Sequence, residues 1–277
     1  MDTSIFARQG KYLMLALDHR GSLKKLLNPG DPGAVQDVQV IGLKERILRS
    51  LKDQFSGVLL DPIFGLPAYK KALGEQDGTP YILSLEESGY EEREGDRYSK
   101  LQYEAKQLKE WGASGTKLLL YFDPQGKSAE HQIDVAKTAL EASRGQNIPL
   151  FLEVVTYGKT RDSASAGEAT LQAMRMLLAR GVKPDVWKLE FPGSAELAKE
   201  ITELAADTPW ILLTRGASFE QFAKELQTSV ENGARGFLAG RAVWQEVMEF
   251  RGEEQEKFLN ETVPSRFRKI SQIAFRV

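Results

Sequence analysis

A (β/α)8 barrel is the fold class that this sequence predicts, and three observations predict it. The chain has 277 residues, close to the ~250 typical of one such barrel. Eight short apolar runs rich in β-branched residues recur along it, and segments with helical spacing lie between them. The runs are Tyr12–Leu17, Gly57–Leu60, Tyr81–Leu85, Thr116–Phe122, Leu150–Tyr157, Val186–Phe191, Trp210–Thr214 and Gly236–Ala239. Each is continuous rather than alternating, the pattern of a strand buried on both faces.

The intervening segments carry apolar stripes of the kind a helix needs to lie on a sheet. Gly42–Phe55 aligns Leu43, Ile47, Leu48 and Leu51. Leu101–Trp111 aligns Leu101, Ala105, Leu108 and Trp111, and Ala129–Ser143 aligns Ile133, Ala136, Ala139 and Leu140. Ala169–Arg180, Ala195–Ala205 and Phe219–Val230 repeat the theme. Gly112, Gly181 and Gly233 follow three of these stripes where a left-handed helix cap is expected. Pro149 and Pro209 open strands, where a missing N–H is tolerated. Strand–helix alternation implies a parallel sheet with crossover helices, and eight units favour closure. No linker interrupts the series, so one domain is expected over residues 1–277. Its charged tail, from about 246 to 277, is expected to add one or two helices.

Composition narrows the function classes. A net charge of −2 and a pI near 5.9 disfavour nucleic acid as a partner. The absence of cysteine excludes disulfides, thiolate nucleophiles and Cys-bound metals. Two histidines, His19 and His131, are too few for a zinc-dependent aldolase. No metal and no cofactor are expected, although carboxylates with a substrate phosphate leave a Mg²⁺ site open. His131 reads as a surface residue on a helix, and His19 reads equally as a substrate contact or as support for one. No signal peptide and no membrane span are evident, so a cytoplasmic protein is expected.

Charges inside apolar strands must be paired or have work to do. Asp18 ends the first run, while Lys117, Glu153 and Lys188 interrupt the fourth, fifth and sixth. Catalysis in this fold sits at the C-terminal ends of the strands. If these side chains point inward they meet there. Two lysines in one low-dielectric site oppose each other's charge, and a neutral lysine amine attacks a carbonyl to form a Schiff base. A carboxylate beside it can move protons. A purely structural ion cluster is the alternative. Glu190 shares the strand face of Lys188 and reads as a further member or as an ion pair at the rim. Glu86–Asp96 reads as an acidic, solvated loop. The seventh run ends in Thr214-Arg215-Gly216 and the eighth in Gly240-Arg241, and such turns are the common phosphate position of this fold.

An ordered series of motifs resembles the class I tagatose-1,6-bisphosphate aldolase family, the Schiff-base aldolases with a (β/α)8 barrel. It runs over nearly the whole chain. Its members are Leu17-Asp18-His19-Arg20-Gly21, Leu59-Leu60-Asp61-Pro62 with Gly65-Leu66-Pro67, Glu87-Ser88-Gly89-Tyr90, and Lys117-Leu118-Leu119-Leu120-Tyr121. Phe151-Leu152-Glu153-Val154, Lys188-Leu189-Glu190-Phe191-Pro192 and Gly236-Phe237-Leu238-Ala239-Gly240-Arg241-Ala242 complete it. The resemblance implies Lys188 as the Schiff-base lysine, Glu153 as the acid/base, and Lys117 and Asp18 as orienters of substrate hydroxyls. It implies Arg241 with the Gly216 and Gly240 backbones as the phosphate site. Arg20, Asp61, Thr214 and Arg215 are further substrate-binding candidates, Asp61 with a structural alternative. His19 stands where the family often has Gln, and Thr214-Arg215-Gly216 where it tends to have Ser-Ala-Gly. The implied activity is cleavage of a small-molecule ketose phosphate to dihydroxyacetone phosphate and an aldehyde. The related substrates are tagatose 1,6-bisphosphate, 6-deoxy-6-sulfofructose 1-phosphate and 2-deoxy-5-keto-gluconate 6-phosphate. A transaldolase, a metal-dependent aldolase and a non-catalytic sugar-phosphate sensor are the rival readings. A homo-oligomer is expected.

Overall fold

The computed structural model describes residues 1–74, 77–158 and 165–276. Eight parallel strands close into a barrel. They are β1 (Lys11–Leu17), β2 (Gly57–Leu60), β3 (Tyr81–Ser84), β4 (Gly115–Phe122), β5 (Leu150–Thr156), β6 (Val186–Leu189), β7 (Trp210–Leu213) and β8 (Gly236–Ala239). Each pairs with its neighbour in chain order, and β8 closes on β1 with Leu238 opposite Met14. The continuous apolar character of the strands follows from burial on both faces: β6, β7 and β8 are buried at every position.

The helices lie outside. They are α1 (Gly21–Leu27), α2 (Asp37–Ser50), α3 (Gly65–Leu73), α4 (Ala105–Glu110), α5 (Ala129–Gly145), α6 (Ala166–Ala179), α7 (Ala195–Ala205) and α8 (Phe219–Glu231). Gly112, Gly181 and Gly233 adopt φ of +92°, +79° and +105°, the left-handed caps that the sequence implied. The α3 helix has a weak signature in the sequence, because Pro67 falls in a stripe only nine residues long.

Two packing layers arise from the strands' period of two. Residues pointing outward meet the helices. Those pointing inward at the N-terminal end, including Met14, Leu59, Phe151 and Ile211, form a separate apolar plug. Phe6 seals it from below, edge-on to Phe151 at 5.1 Å between ring centroids. The plug closes the barrel floor with apolar side chains, and the buried ionic cluster lies above it, toward the opposite end. The short α9 (Arg241–Trp244) follows β8 directly, and the tail, described to residue 276, adds α10 (Gly252–Lys257) and α11 (Val263–Ala274). Phe267 of α11 packs against Phe237 of β8 at 5.4 Å.

Candidate active site

Above the apolar plug the inward positions become polar. Asp18 follows β1, Glu86 follows β3, Lys117 lies in β4, Glu153 in β5 and Lys188 in β6. They line a cavity of about 630 Å³ at the C-terminal mouth of the barrel, a volume suited to a small metabolite. A recess of about 720 Å³ opens at the opposite end around Met1, Lys183 and Asp185. Only the C-terminal cavity contains the ionic cluster, at the end where this fold does its chemistry.

The geometry distinguishes the two lysines. Lys117 Nζ is 2.7 Å from Glu86 Oε1, 2.9 Å from Asp18 Oδ2 and 2.9 Å from Glu153 Oε2. The ammonium donates to Asp18 and Glu86 and ion-pairs with Glu153, so three carboxylates surround it. Burial alone would lower the pKa of Lys117, but Asp18, Glu153 and Glu86 together outweigh it and hold the group charged, well above the ordinary lysine range. Lys188 Nζ meets one carboxylate, Glu153 Oε2, at 2.7 Å. Strand register produces this contact, since Glu153 and Lys188 are direct partners across β5 and β6. Glu153 therefore bridges both ammonium groups. Burial pushes its pKa upward, and Lys117 and Lys188 more than reverse that, leaving it below the usual carboxylate range. Asp18 is likewise held low: Lys117 and Lys188 override the burial that would raise it.

The surroundings hold this cluster still. Arg20 is buried and donates to the Glu86 carbonyl at 2.7 Å and to Gln102 Oε1 at 3.0 Å. His19 stands edge-on to Trp244 at 5.3 Å. Desolvation at the cavity wall, with Arg241, Lys44 and Lys188 nearby, lowers its pKa to about 4 despite Asp18. Neutral imidazole is therefore its form near pH 7.

At the β7 and β8 mouths the backbone is specialised. Gly216 has φ +77°, and a Cβ there would sit 3.4 Å from the Arg241 guanidinium. A Cβ on Gly240 would meet His19 Cε1 at 3.0 Å and Ala16 Cβ at 3.2 Å, so only glycine lets these walls approach. Arg241 Nε is buried with no hydrogen-bond partner among the described residues. Arg215 holds φ +40° and ion-pairs with Glu190, and it donates to Thr156 O at 3.1 Å. Glu190 is thus an ion pair at the rim. No group of three or more His, Asp or Glu able to hold a metal occurs among the described residues. Nor is any described helix long and apolar enough to cross a membrane.

Residues 12–246 match the DeoC/LacD family of aldolases. The chain belongs to this family. It is similar to the tagatose 1,6-diphosphate aldolase 2 of Streptococcus mutans serotype c, at 31% identity over 264 residues, covering 83% of this chain and 78% of that protein. It is also similar to the tagatose 1,6-diphosphate aldolase of Lactococcus lactis subsp. lactis, at 30% identity, with 92% and 86% of the two chains covered. A Schiff-base-forming fructose-1,6-bisphosphate aldolase, solved with its reaction intermediates, shares the fold. Its TM-score is 0.64 at 21% identity, with 98% of this chain and 97% of that one covered.

The aldolase brings most of the residues singled out in its sequence to one cavity: Asp18, Lys117, Glu153 and Lys188, with Arg20, Thr214, Arg215, Gly240 and Arg241 around them. Gly216 lies against Arg241. Asp61 is not among the lining residues. It is fully buried, pairs with Lys44 of α2, and accepts from the N–H groups of Ile63, Phe64 and Gly65 at 3.0, 2.7 and 3.0 Å. Its carboxylate caps the start of α3, so the structural alternative describes its placement. Glu86 corrects the sequence reading. Taken there as the start of a solvated loop, it is 4% exposed and pairs with Lys117. Counting by twos along Ile82, Ser84 and Glu86 places Glu86 on the inward face. The rest of that stretch is a hairpin, Glu91–Arg93 against Asp96–Tyr98, rather than a plain loop.

Proposed function

We propose that this aldolase cleaves a ketose phosphate through a Schiff base on Lys188, releasing dihydroxyacetone phosphate and an aldehyde. The observation that carries the reading is the unequal ion pairing of the two lysines. Among the described residues Lys117 ion-pairs with three carboxylates, whereas Lys188 ion-pairs with one, Glu153, at 2.7 Å. That carboxylate can take the proton which Lys188 must lose before its amine attacks.

The amine adds to the C2 ketone. The carbinolamine then expels water, with Glu153 returning the proton to the departing hydroxyl, and an iminium forms. Removal of the C4 hydroxyl proton, taken or relayed by Glu153, lets the C3–C4 bond break. Its electron pair moves into the iminium to give an enamine, and the aldehyde leaves. Protonation at C3 and hydrolysis release dihydroxyacetone phosphate and restore Lys188. Lys117 acts as a positioning residue that fixes Asp18, Glu86 and Glu153, and Asp18 remains ionised to accept from a substrate hydroxyl. Arg241 with the Gly216 and Gly240 backbones binds the C1 phosphate. The tagatose 1,6-diphosphate aldolases among the relatives make tagatose 1,6-bisphosphate the first substrate to try.

Lys188→Met tests the assignment. The variant is expected to release no dihydroxyacetone phosphate from tagatose 1,6-bisphosphate while keeping its circular dichroism spectrum. Turnover at the unsubstituted rate would refute it.

A further inference from the structure

The cavity holds more cationic groups than one phosphate and one Schiff base require. Arg20 is buried and turned toward Gln102 and the Glu86 carbonyl, with one donor on each, and Arg215 is neutralised by Glu190. Arg241 stands at the β8 mouth beside Gly216, where the C1 phosphate is placed. Lys25 is exposed at the rim. Arg97 remains. It is half-buried on the second strand of the Asp96–Tyr98 hairpin and lines the same cavity.

Arg97 is held in an unusual way. Its guanidinium lies 4.5 Å from the Tyr90 ring centroid, 4.6 Å from Tyr157 and 5.5 Å from Tyr121. Its side chain makes no ion pair and no hydrogen bond among the described residues, so its five N–H donors are uncommitted. Stacking against rings fixes the guanidinium plane without consuming those donors. The backbone is fixed too. Arg97 N–H donates to Tyr157 Oη at 2.7 Å, and its carbonyl accepts from Gln132 Nε2 at 3.0 Å. The same Gln132 amide donates to Tyr121 O at 2.6 Å, tying the hairpin to the end of β4. A planar cation positioned in advance with an uncommitted donor edge is suited to bidentate capture of a tetrahedral oxyanion.

Its place in the ring of strands matters as much. Arg241 follows β8, Lys188 lies in β6, and Arg97 rests on Tyr121 of β4 and on Tyr157 just beyond β5. In a closed eight-stranded ring β4 faces β8 across the barrel. A ketose with its C1 phosphate at Arg241 and C2 at Lys188 therefore extends its distal carbons toward Arg97. We propose that Arg97 binds a second anionic group, a phosphate or sulfonate, on the aldehyde half of the substrate, and so sets the preference for doubly anionic ketoses. This rests on the aldol-cleavage reading above and adds the distal ligand to it.

The test compares kcat and KM for tagatose 1,6-bisphosphate and tagatose 1-phosphate in the native protein and in Arg97→Ala, Arg97→Lys and Lys25→Ala. Loss of charge-assisted hydrogen bonds is expected to lower the bisphosphate-to-monophosphate ratio of kcat/KM by about 10- to 100-fold in Arg97→Ala. The change should fall mainly on the KM for the bisphosphate. Arg97→Lys, which keeps the charge but loses the planar fork, is expected to lie between. Repeating the series with a 6-sulfonate ketose 1-phosphate shows which oxyanion depends more on Arg97. An equal loss on both substrates, no loss, or a collapse of the ratio in Lys25→Ala instead would overturn the proposal. Failure of the native protein to form a borohydride-stable adduct with dihydroxyacetone phosphate would overturn the aldol reading and this inference with it. An adduct with an unchanged ratio in Arg97→Ala would overturn this inference alone.

Discussion

Replacing Lys117 by Met removes one ammonium from the centre of three carboxylates. Glu153 keeps Lys188 as a partner at 2.7 Å. Asp18 keeps, among the described residues, the contact to His19 Nδ1 at 3.9 Å and the more distant attraction of Lys188, and His19, with its pKa near 4, is neutral above that pH. The Glu86 carboxylate has no other ion pair among the described residues. The side chains of Asp18, Glu86 and Glu153 are only 14, 5 and 10% exposed, so water replaces the lysine incompletely. Breaking a buried ion pair by deleting one partner costs about 3–5 kcal/mol. At roughly 2–4 °C per kcal/mol for a domain near this size, the midpoint of thermal unfolding should fall by roughly 6–20 °C. The pH dependence sharpens the test. The depressed pKa values of Asp18 and Glu153 contribute stability that is fully present above the unfolded carboxylate range, near ~4, and is lost as pH falls through their lower folded values. Removing Lys117 takes away the larger part of that depression and leaves the part that Lys188 supplies. The stability gap between the native protein and the variant should therefore be widest near pH 7 and narrow on acidification below about 4. Urea unfolding at both pH values measures it. A gap under about 1 kcal/mol at pH 7, or one that does not narrow in acid, would refute the reasoning.

His19→Gln should flatten the acid limb of the stability curve between about pH 6.5 and 4. The native imidazole resists protonation down to about 4, while the unfolded one takes up a proton near ~6.5; an unchanged limb would show that His19 is not desolvated. Lys44→Met leaves Asp61 buried without its ammonium and should cost about 3–5 kcal/mol in unfolding free energy. If Lys44→Met instead unfolds like the native protein, the account of Asp61 as the anchor of α3 is wrong. Arg20→Ala removes two hydrogen bonds that hold the Glu86 backbone and Gln102. It should lower stability by about 1–3 kcal/mol and lower kcat as Glu86 and Lys117 loosen, and a change in KM alone would point to direct substrate contact.

Barrel closure was legible because eight continuous apolar runs, evenly interleaved with helical stripes, have few other ways to bury both strand faces. The cluster of Asp18, Lys117, Glu153 and Lys188 was legible for a related reason: each charge interrupts or ends a run that otherwise excludes charge. What stayed hidden depends on contacts between distant residues. Asp61 sits at a strand end as Asp18 does, and its sequence neighbours do not reveal that Lys44, on α2, reaches it or that the chain turns at once into α3. Arg215 and Arg241 look alike in sequence, yet Glu190 neutralises one and not the other. Arg97 lies in a highly charged hairpin whose composition suggests a solvated loop. Only the fold brings Tyr90, Tyr121 and Tyr157 around it.

Mass spectrometry of the native protein after borohydride reduction with dihydroxyacetone phosphate tests the central claim most directly. The account predicts one reduced adduct per chain on the peptide bearing Lys188, and none in Lys188→Met. An adduct mapped to Lys117, or its absence while binding of the same ligand is detected separately, would contradict it.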